Sequence, residues 1–196
     1  MLDDRLQTCL RDLAQLHPRL CPRQVLGVRM GLAASDLMEL ELPRDDKRLL
    51  AIVETDGCFA DGVSVASGCW LGRRTLRHID FGKVAVTFVD TLSARAVRVW
   101  PNPLVRSRAW SYAPEADSRW QAQLLGYQRM PSHVLLCSDA VELIAPPTRL
   151  DGREQCVECG EEIVNRREIR TLSGLMCRAC AGAAYYHCAG QRVCAT

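Results

Sequence analysis

Long apolar runs are missing from this 196-residue sequence: every hydrophobic stretch is broken by Arg, Asp or Lys well short of a membrane span, which needs ~18 residues. An export signal is missing too. The opening residues, Met1-Leu-Asp-Asp-Arg-Leu-Gln7, are acidic and amphipathic where such a signal is basic and then apolar. These absences predict a cytoplasmic protein with no membrane partner. Strong charge of either sign is also lacking, since the formal net charge is only +2. A balance that mild argues against nucleic acid or anionic lipid as the obligatory partner. No phosphate loop, dinucleotide fingerprint, H-E-x-x-H helix or G-x-S-x-G elbow occurs, so phosphate-loop and serine-hydrolase chemistry have no support. Repeats and low-complexity tracts are absent as well.

Cysteine, by contrast, is abundant, with eleven residues. In a reducing compartment thiols stay free, and an odd number disfavours a complete set of internal disulfides. The cysteines therefore read as metal ligands, reactive thiols or small core residues.

The hydrophobic periodicity predicts a helix from Leu2 to Leu16, ending near His17-Pro18 because a residue before proline avoids the α region. A second helix starts at Pro22 with Cys21 as its N-cap, and Val25, Val28, Met30, Ala33, Ala34, Leu37 and Met38 share one broad face. Leu49 to Thr55 reads as a strand and Cys58 to Cys69 as a tightly packed helix of small residues. Arg77 to Asp80, Lys83 to Asp90 and Ala94 to Trp100 read as further strands, the last two forming a hairpin. Pro101 to Pro114 reads as irregular, Glu115 to Gln128 as a short helix, and Val134 to Ile144 as a last strand. Helices followed by neighbouring strands predict an α+β fold, with helices on one face of a mainly antiparallel sheet. Pro146-Pro147 is a stiff break that divides a core at 1–147 from a small domain at 148–196.

In that small domain Cys156-Val-Glu-Cys159 and Cys177-Arg-Ala-Cys180 are two C-x-x-C pairs with seventeen residues between them. This is the spacing of a tetrathiolate zinc site. Ile163-Val164 and Thr171 to Gly174 read as one hairpin, and Cys177 and Cys180 as the first turn of a helix whose positive end favours thiolate. Knuckle, hairpin and helix in that order make a treble clef. Four protein ligands fill the tetrahedron, so Cys156, Cys159, Cys177 and Cys180 predict a structural zinc. A redox pair or buried structural cysteines are the competing readings. Residues 151–196 carry six acidic and six basic side chains, a balance that favours protein contact over nucleic-acid reading. Cys188 and Cys194 read as free tail thiols.

In the core, His17, Cys21, Cys58 and Asp61 are the candidates for chemistry. Cys21 and Cys58 each stand at a predicted helix start, where unsatisfied amides lower a thiol's pKa, and His17 lies four residues before Cys21. Asp61 lies one helical turn from Cys58, while Cys69 reads as a packing residue. The alternative leaves His17 and Asp56 as caps and the cysteines as small buried residues. Lys83 opens a strand after Gly82, from which it could reach the groove as a cofactor contact or simply face solvent. Trp100, Trp110 and Trp120 are interleaved with Arg106, Arg108, Arg119 and Tyr112. Such a mixture can clamp an anionic or planar ligand, or pack as a linker.

Four segments carry a family resemblance: His17-Pro18-Arg19-Leu20-Cys21-Pro22, Asp56-Gly57-Cys58-Phe59-Ala60-Asp61-Gly62-Val63, Ser67-Gly68-Cys69-Trp70-Leu71-Gly72-Arg73 and Asp80-Phe81-Gly82-Lys83. They resemble the motifs H-G-H-x-C-P-G, D-x-C-x-x-D-A-[VI]-Q, T-G-C-[TW]-x-G-K-G and D-[YF]-G-K of the FmdE family, which takes its name from the FmdE component of formylmethanofuran dehydrogenase. The resemblance runs from about residue 10 to 190 and includes the four-cysteine finger. It implies an α+β core with a treble clef, a homodimer, and a groove near the motif thiols and histidine. Arg19 replaces the family's second histidine, Arg23 its glycine after the proline, and Arg73-Arg74 the Lys-Gly of the glycine-rich turn. A metal site relying on two histidines is weakened, and the groove is more cationic.

Residues and resemblance together lead to an expected function: a metal-binding accessory protein of one-carbon, molybdenum- or tungsten-enzyme metabolism, beside oxidoreductase subunits. His17, Cys21 and Cys58 would hold a second metal or a small ligand. The other readings are a non-catalytic module that docks or dimerises through its finger, and thiol-based catalysis such as sulfur transfer. No complete catalytic motif decides whether the chain is itself an enzyme.

Overall fold

The computed structural model describes residues 4–17, 19–145, 151–187 and 189. The chain divides into two compact units, Met1–Ile144 and Ala145–Thr196. Pro146-Pro147, Cys188 and Cys194 lie outside the described residues.

In the first unit, α1 (Asp4–Leu16) buries the stripe Leu6, Cys9, Leu10 and Leu13. Next comes α2 (Pro22–Met38), which opens on Pro22 with Cys21 as N-cap and closes on Glu39 in the left-handed region. The sequence predicts one buried face for α2, yet thirteen of its seventeen residues are buried, among them Gln24, Arg29 and Ser35. The reason is position: α1, α3 and α5 pack around it and the sheet lies beneath.

β1 (Leu49–Val53) leads through Asp56-Gly57 into α3 (Cys58–Ser67), which stops at Gly68 in the left-handed region. Cys69 therefore lies beyond the helix, not on it. β2 (Leu76–His78), β3 (Val86–Asp90) and β4 (Ala96–Pro101) follow. Pro101 to Pro114 is not irregular throughout, since α4 (Val105–Tyr112) lies within it. Only Val105 and Ala109 of α4 are buried, too short a stripe to signal a helix. What holds α4 is α5 (Arg119–Arg129), whose Gly126 lets the Ala109 backbone approach so closely that an added Cβ would lie 2.7 Å from the Ala109 carbonyl. The expected last strand begins as a helical turn, α6 (Ser132–Leu135), before β5 (Leu136–Val141).

The sheet order is β2-β1-β3-β4-β5, parallel between β1 and β2 and antiparallel elsewhere. Alternation along the strands sends Leu49, Ala51, Val53, Val86, Phe88, Val97 and Val99 into the helix-covered core. The architecture is α+β, as the sequence predicts.

In the second unit, β6 (Arg153–Gln155) pairs with β7 (Glu162–Val164), and β8 (Ile169–Thr171) with β9 (Gly174–Met176). Two hairpins thus replace the single one predicted. The first cysteine knuckle is itself a turn, and it folds Ile163 back against Glu154 rather than forward. The helix predicted at Cys177 is one helical turn, Ala179–Ala183, interrupted by Gly182 at φ 98°.

Candidate functional site

The core site is built by two helices in unusually close contact. An added Cβ at Gly27 of α2 would stand 2.3 Å from the Phe59 carbonyl, and one at Gly62 of α3 would stand 2.3 Å from the Gln24 carbonyl. Gly31 meets Ala66 in the same way. The contacts advance in the same direction along both chains, so the helices run parallel and their N-terminal ends come together. Cys21, the N-cap of α2, and Cys58, the first residue of α3, are thereby neighbours. Each stands where unpaired amides and the helix dipole supply partial positive charge.

Two further residues join them. His17 Nε2 lies 2.7 Å from Asp61 Oδ2, with the side chains 35% and 37% exposed. Asp61 is one turn into α3 and His17 just past the end of α1, so this pair ties α1 to α3 at the level of the thiols. The four sequence candidates are therefore brought together as two pairs, His17 with Asp61 and Cys21 with Cys58. Burial pushes the Cys58 thiol up, and the adjacent Cys21 sulfur pushes it further. The backbone amide contact at the helix start acts the other way but is outweighed by this burial and by the Cys21 sulfur.

Gln24, which sequence reasoning passed over, belongs to the same site. Its Oε1 accepts the Cys21 backbone N–H at 2.8 Å, while its fully buried Nε2 has no hydrogen-bond partner among the described residues. A local signal exists, because a Gln three residues after an N-cap is half of a capping box. Cys69 is buried and donates weakly to the Leu49 carbonyl at 3.5 Å, a packing role. Asp80 to Lys83 is laced onto the end of β1, with the Phe81 and Lys83 amides donating to the Glu54 carbonyl. Lys83 itself is exposed. A cavity of about 550 Å³ lies along α1 and α3, lined by Asp12, Leu16, Val65, Trp70 and Arg73 among others. Its lining does not include His17, Cys21, Cys58 or Asp61.

In the second unit the sulfurs of Cys156, Cys159, Cys177 and Cys180 all lie within 4.8 Å of one another. Among the described residues this is the set of three or more such ligands that converges on one point. The Cys177 amide donates to Cys156 Sγ at 3.2 Å, and the Cys180 amide to Cys177 Sγ at 3.4 Å. Backbone amides of Cys159 and Cys177 bring the Cys156 thiol down to about 6, whereas the neighbouring sulfur of Cys177 pushes Cys180 strongly up. One thiolate forms readily and the last resists accumulating negative charge, a conflict that a divalent cation resolves. The donor set fits a tetrahedral metal with no open position.

A family model described as FmdE, molybdenum formylmethanofuran dehydrogenase operon, matches residues 16–136, which is more than half of the chain and includes His17, Cys21, Gln24, Cys58 and Asp61. The chain belongs to the FmdE family. A likeness of fold extends over nearly the whole chain. The crystal structure of an FmdE-like protein of the tungsten formylmethanofuran dehydrogenase type from Syntrophus aciditrophicus matches 93% of this chain and 95% of its own, with a TM-score of 0.57 and 21% identity. Over 101 residues, half of its length, this chain is 38% identical to a protein of Archaeoglobus fulgidus described as a probable S-adenosyl-L-methionine-binding protein. That match spans only 28% of the relative's length. No helix among the described residues is long and apolar enough to cross a membrane. This chain is thus an FmdE-family protein with a four-cysteine cluster able to hold a metal such as zinc.

Proposed function

We propose that this protein is an accessory component of one-carbon metabolism served by molybdenum or tungsten enzymes of the formylmethanofuran dehydrogenase type, and that its core binds a metal ion or small ligand at Cys21, Cys58 and His17. One observation carries the reading: two parallel helix starts, held together by Gly27 and Gly62, present both motif thiols beside the His17–Asp61 pair. In this role Cys21 supplies a thiolate, His17 an imidazole ligand or base, and Asp61 orients that ring through its 2.7 Å contact. Lys83, exposed beyond the end of β1, is the candidate cofactor contact. A divalent ion at the core would supply Lewis acidity. The residues themselves orient the ligand and hold its charge against two helix N-termini. Zinc in the four-cysteine cluster is structural, and the protein acts in the cytoplasm as a homodimer beside oxidoreductase subunits.

The alternative is a non-catalytic module that dimerises or docks through its finger, with the core thiols structural; the pairing of His17 with Asp61, which leaves no ready-made three-ligand set among the described core residues, favours it. Metal analysis separates the two. Native protein holding two metal ions per chain, falling to one in a Cys21→Ser, Cys58→Ser double variant, supports the core site. One zinc in both proteins supports the module. A metal-free core whose Cys21 is alkylated rapidly supports a ligand or thiol chemistry instead. S-adenosyl-L-methionine, named for the Archaeoglobus relative, is the first small ligand to titrate against both proteins.

A further inference from the structure

Five arginines of the core unit have carboxylate partners: Arg5 pairs with Asp36, Arg44 with Asp46, Arg48 with Asp90, Arg98 with Glu54 and Arg129 with Glu115. Arg106 and Arg119 are not among them, and they share one cavity. They make no ion pair among the described residues, yet they line the same cavity of about 330 Å³ together with Ser107, Trp110 and Gln123. Arg106, Ser107 and Trp110 come from α4, with Arg106 and Trp110 one turn apart, and Arg119 and Gln123 from α5, also one turn apart. Both helices are fixed by the Ala109–Gly126 contact. Among the described residues no acidic side chain lines the cavity. Glu115 is taken by Arg129, and Asp117 lies outside the lining.

Two exposed guanidiniums that line one space with no acidic neighbour in the lining favour an anion there. Trp110, 42% exposed, adds a flat apolar wall on which a ring can stack. Ser107 and Gln123 add neutral hydrogen-bonding groups. The volume is at the small end of the range for ligand pockets, which is about 300–1,000 Å³. Size and a net charge of only +2 disfavour a nucleic-acid strand, which needs an extended basic track.

We propose that this cleft is a binding site for a small planar aromatic anion, with the chemistry of a nucleoside monophosphate. Arg106 and Arg119 grip the phosphate, and the ring lies against Trp110. The site is independent of the core thiols, so it stands whether or not they bind metal.

The test is calorimetric titration of the full chain with adenosine 5′-monophosphate, inorganic phosphate, adenosine and an oligoadenylate strand. The monophosphate is expected to bind saturably, at least about tenfold tighter than phosphate or adenosine alone, as a site combining charge and stacking requires. Arg106→Glu and Arg119→Glu are each expected to weaken it by about tenfold or more, and Trp110→Leu to remove the preference for the nucleotide over phosphate. Arg106→Gln and Arg119→Gln, which keep much of the side-chain volume, cover the case in which a charge reversal unfolds the helix pair. Circular dichroism identifies that case. Absence of saturable binding, binding unchanged in the folded variants, or a strand binding more tightly than the monophosphate would each overturn the proposal.

Discussion

Arg29 carries a guanidinium into the interior, and its four donated hydrogen bonds explain why it is tolerated there. It reaches the Tyr127 and Gln128 carbonyls at 3.1 Å, the Met130 carbonyl at 2.8 Å and Ser132 Oγ at 3.1 Å. The last carbonyls of α5 have no partner within their own helix, and a cation at that end also satisfies the dipole. Replacing Arg29 by Met fills the space but leaves buried carbonyls unpaired. Urea unfolding should show a loss of about 3 kcal/mol; an unchanged midpoint would show that water takes over the role. Asp90 is the residue to follow with pH. The Arg48 guanidinium, helped by Ser93 Oγ and the Leu92 amide, holds its buried carboxyl well below the usual range. Folding lowers this pKa, so the stabilisation is complete above the unfolded-chain value of about 4 and is lost as the pH falls from there through the folded value. Asp90→Asn should therefore be less stable than the parent at pH 7, with the gap narrowing below about pH 4 when denaturation is followed across that range.

Among the elements, α2 and α3 matter most, because their crossing sets the distance between Cys21 and Cys58. Gly62→Ala places a methyl against the Gln24 backbone, which has no flexible end to move aside. The expected outcome is a destabilisation of about 2–3 kcal/mol, together with faster alkylation of both thiols as the helix starts separate. A variant as stable and as slowly alkylated as the parent would mean that the two backbones have room to part without cost. The two helices were legible in the sequence from Pro22 at a first turn and from the spacing of apolar and small residues, although α3 stops before Gly68 and not at Cys69 as expected. Their parallel contact was not, because a glycine in a helix announces only the absence of a side chain. The same holds for α4, whose eight residues bury two side chains and depend on Gly126 for their place. The single hairpin expected between the cysteine pairs failed for a related reason, since the knuckle turn competes for the same strand residues.

For the whole molecule, the two units divide the sources of stability. The core has a continuous set of buried apolar side chains, while in the second unit Cys156 and Ile163 are the buried hydrophobics among the described residues. So small a core would draw its stability from a metal held by the four cysteines. Chelation should leave residues 1–144 resistant to limited proteolysis while the finger is cut between its cysteine pairs, and added zinc should restore protection. Equal resistance with and without chelator would show that the finger stands on its own packing.

Sequence by itself determined the α+β class and the four-cysteine cluster, because periodicity, turn chemistry and C-x-x-C spacing act over a few residues, and the resemblance of four segments to family motifs placed His17, Cys21, Cys58 and Asp61 within them. Tertiary structure alone decided that the four core residues meet as two pairs, that Gln24 joins them with an amide unpartnered among the described residues, and that Arg106 and Arg119 share a cleft without a counter-ion. Those facts depend on helices packing at their glycines across segments far apart in the chain, and no local pattern records how closely two backbones approach.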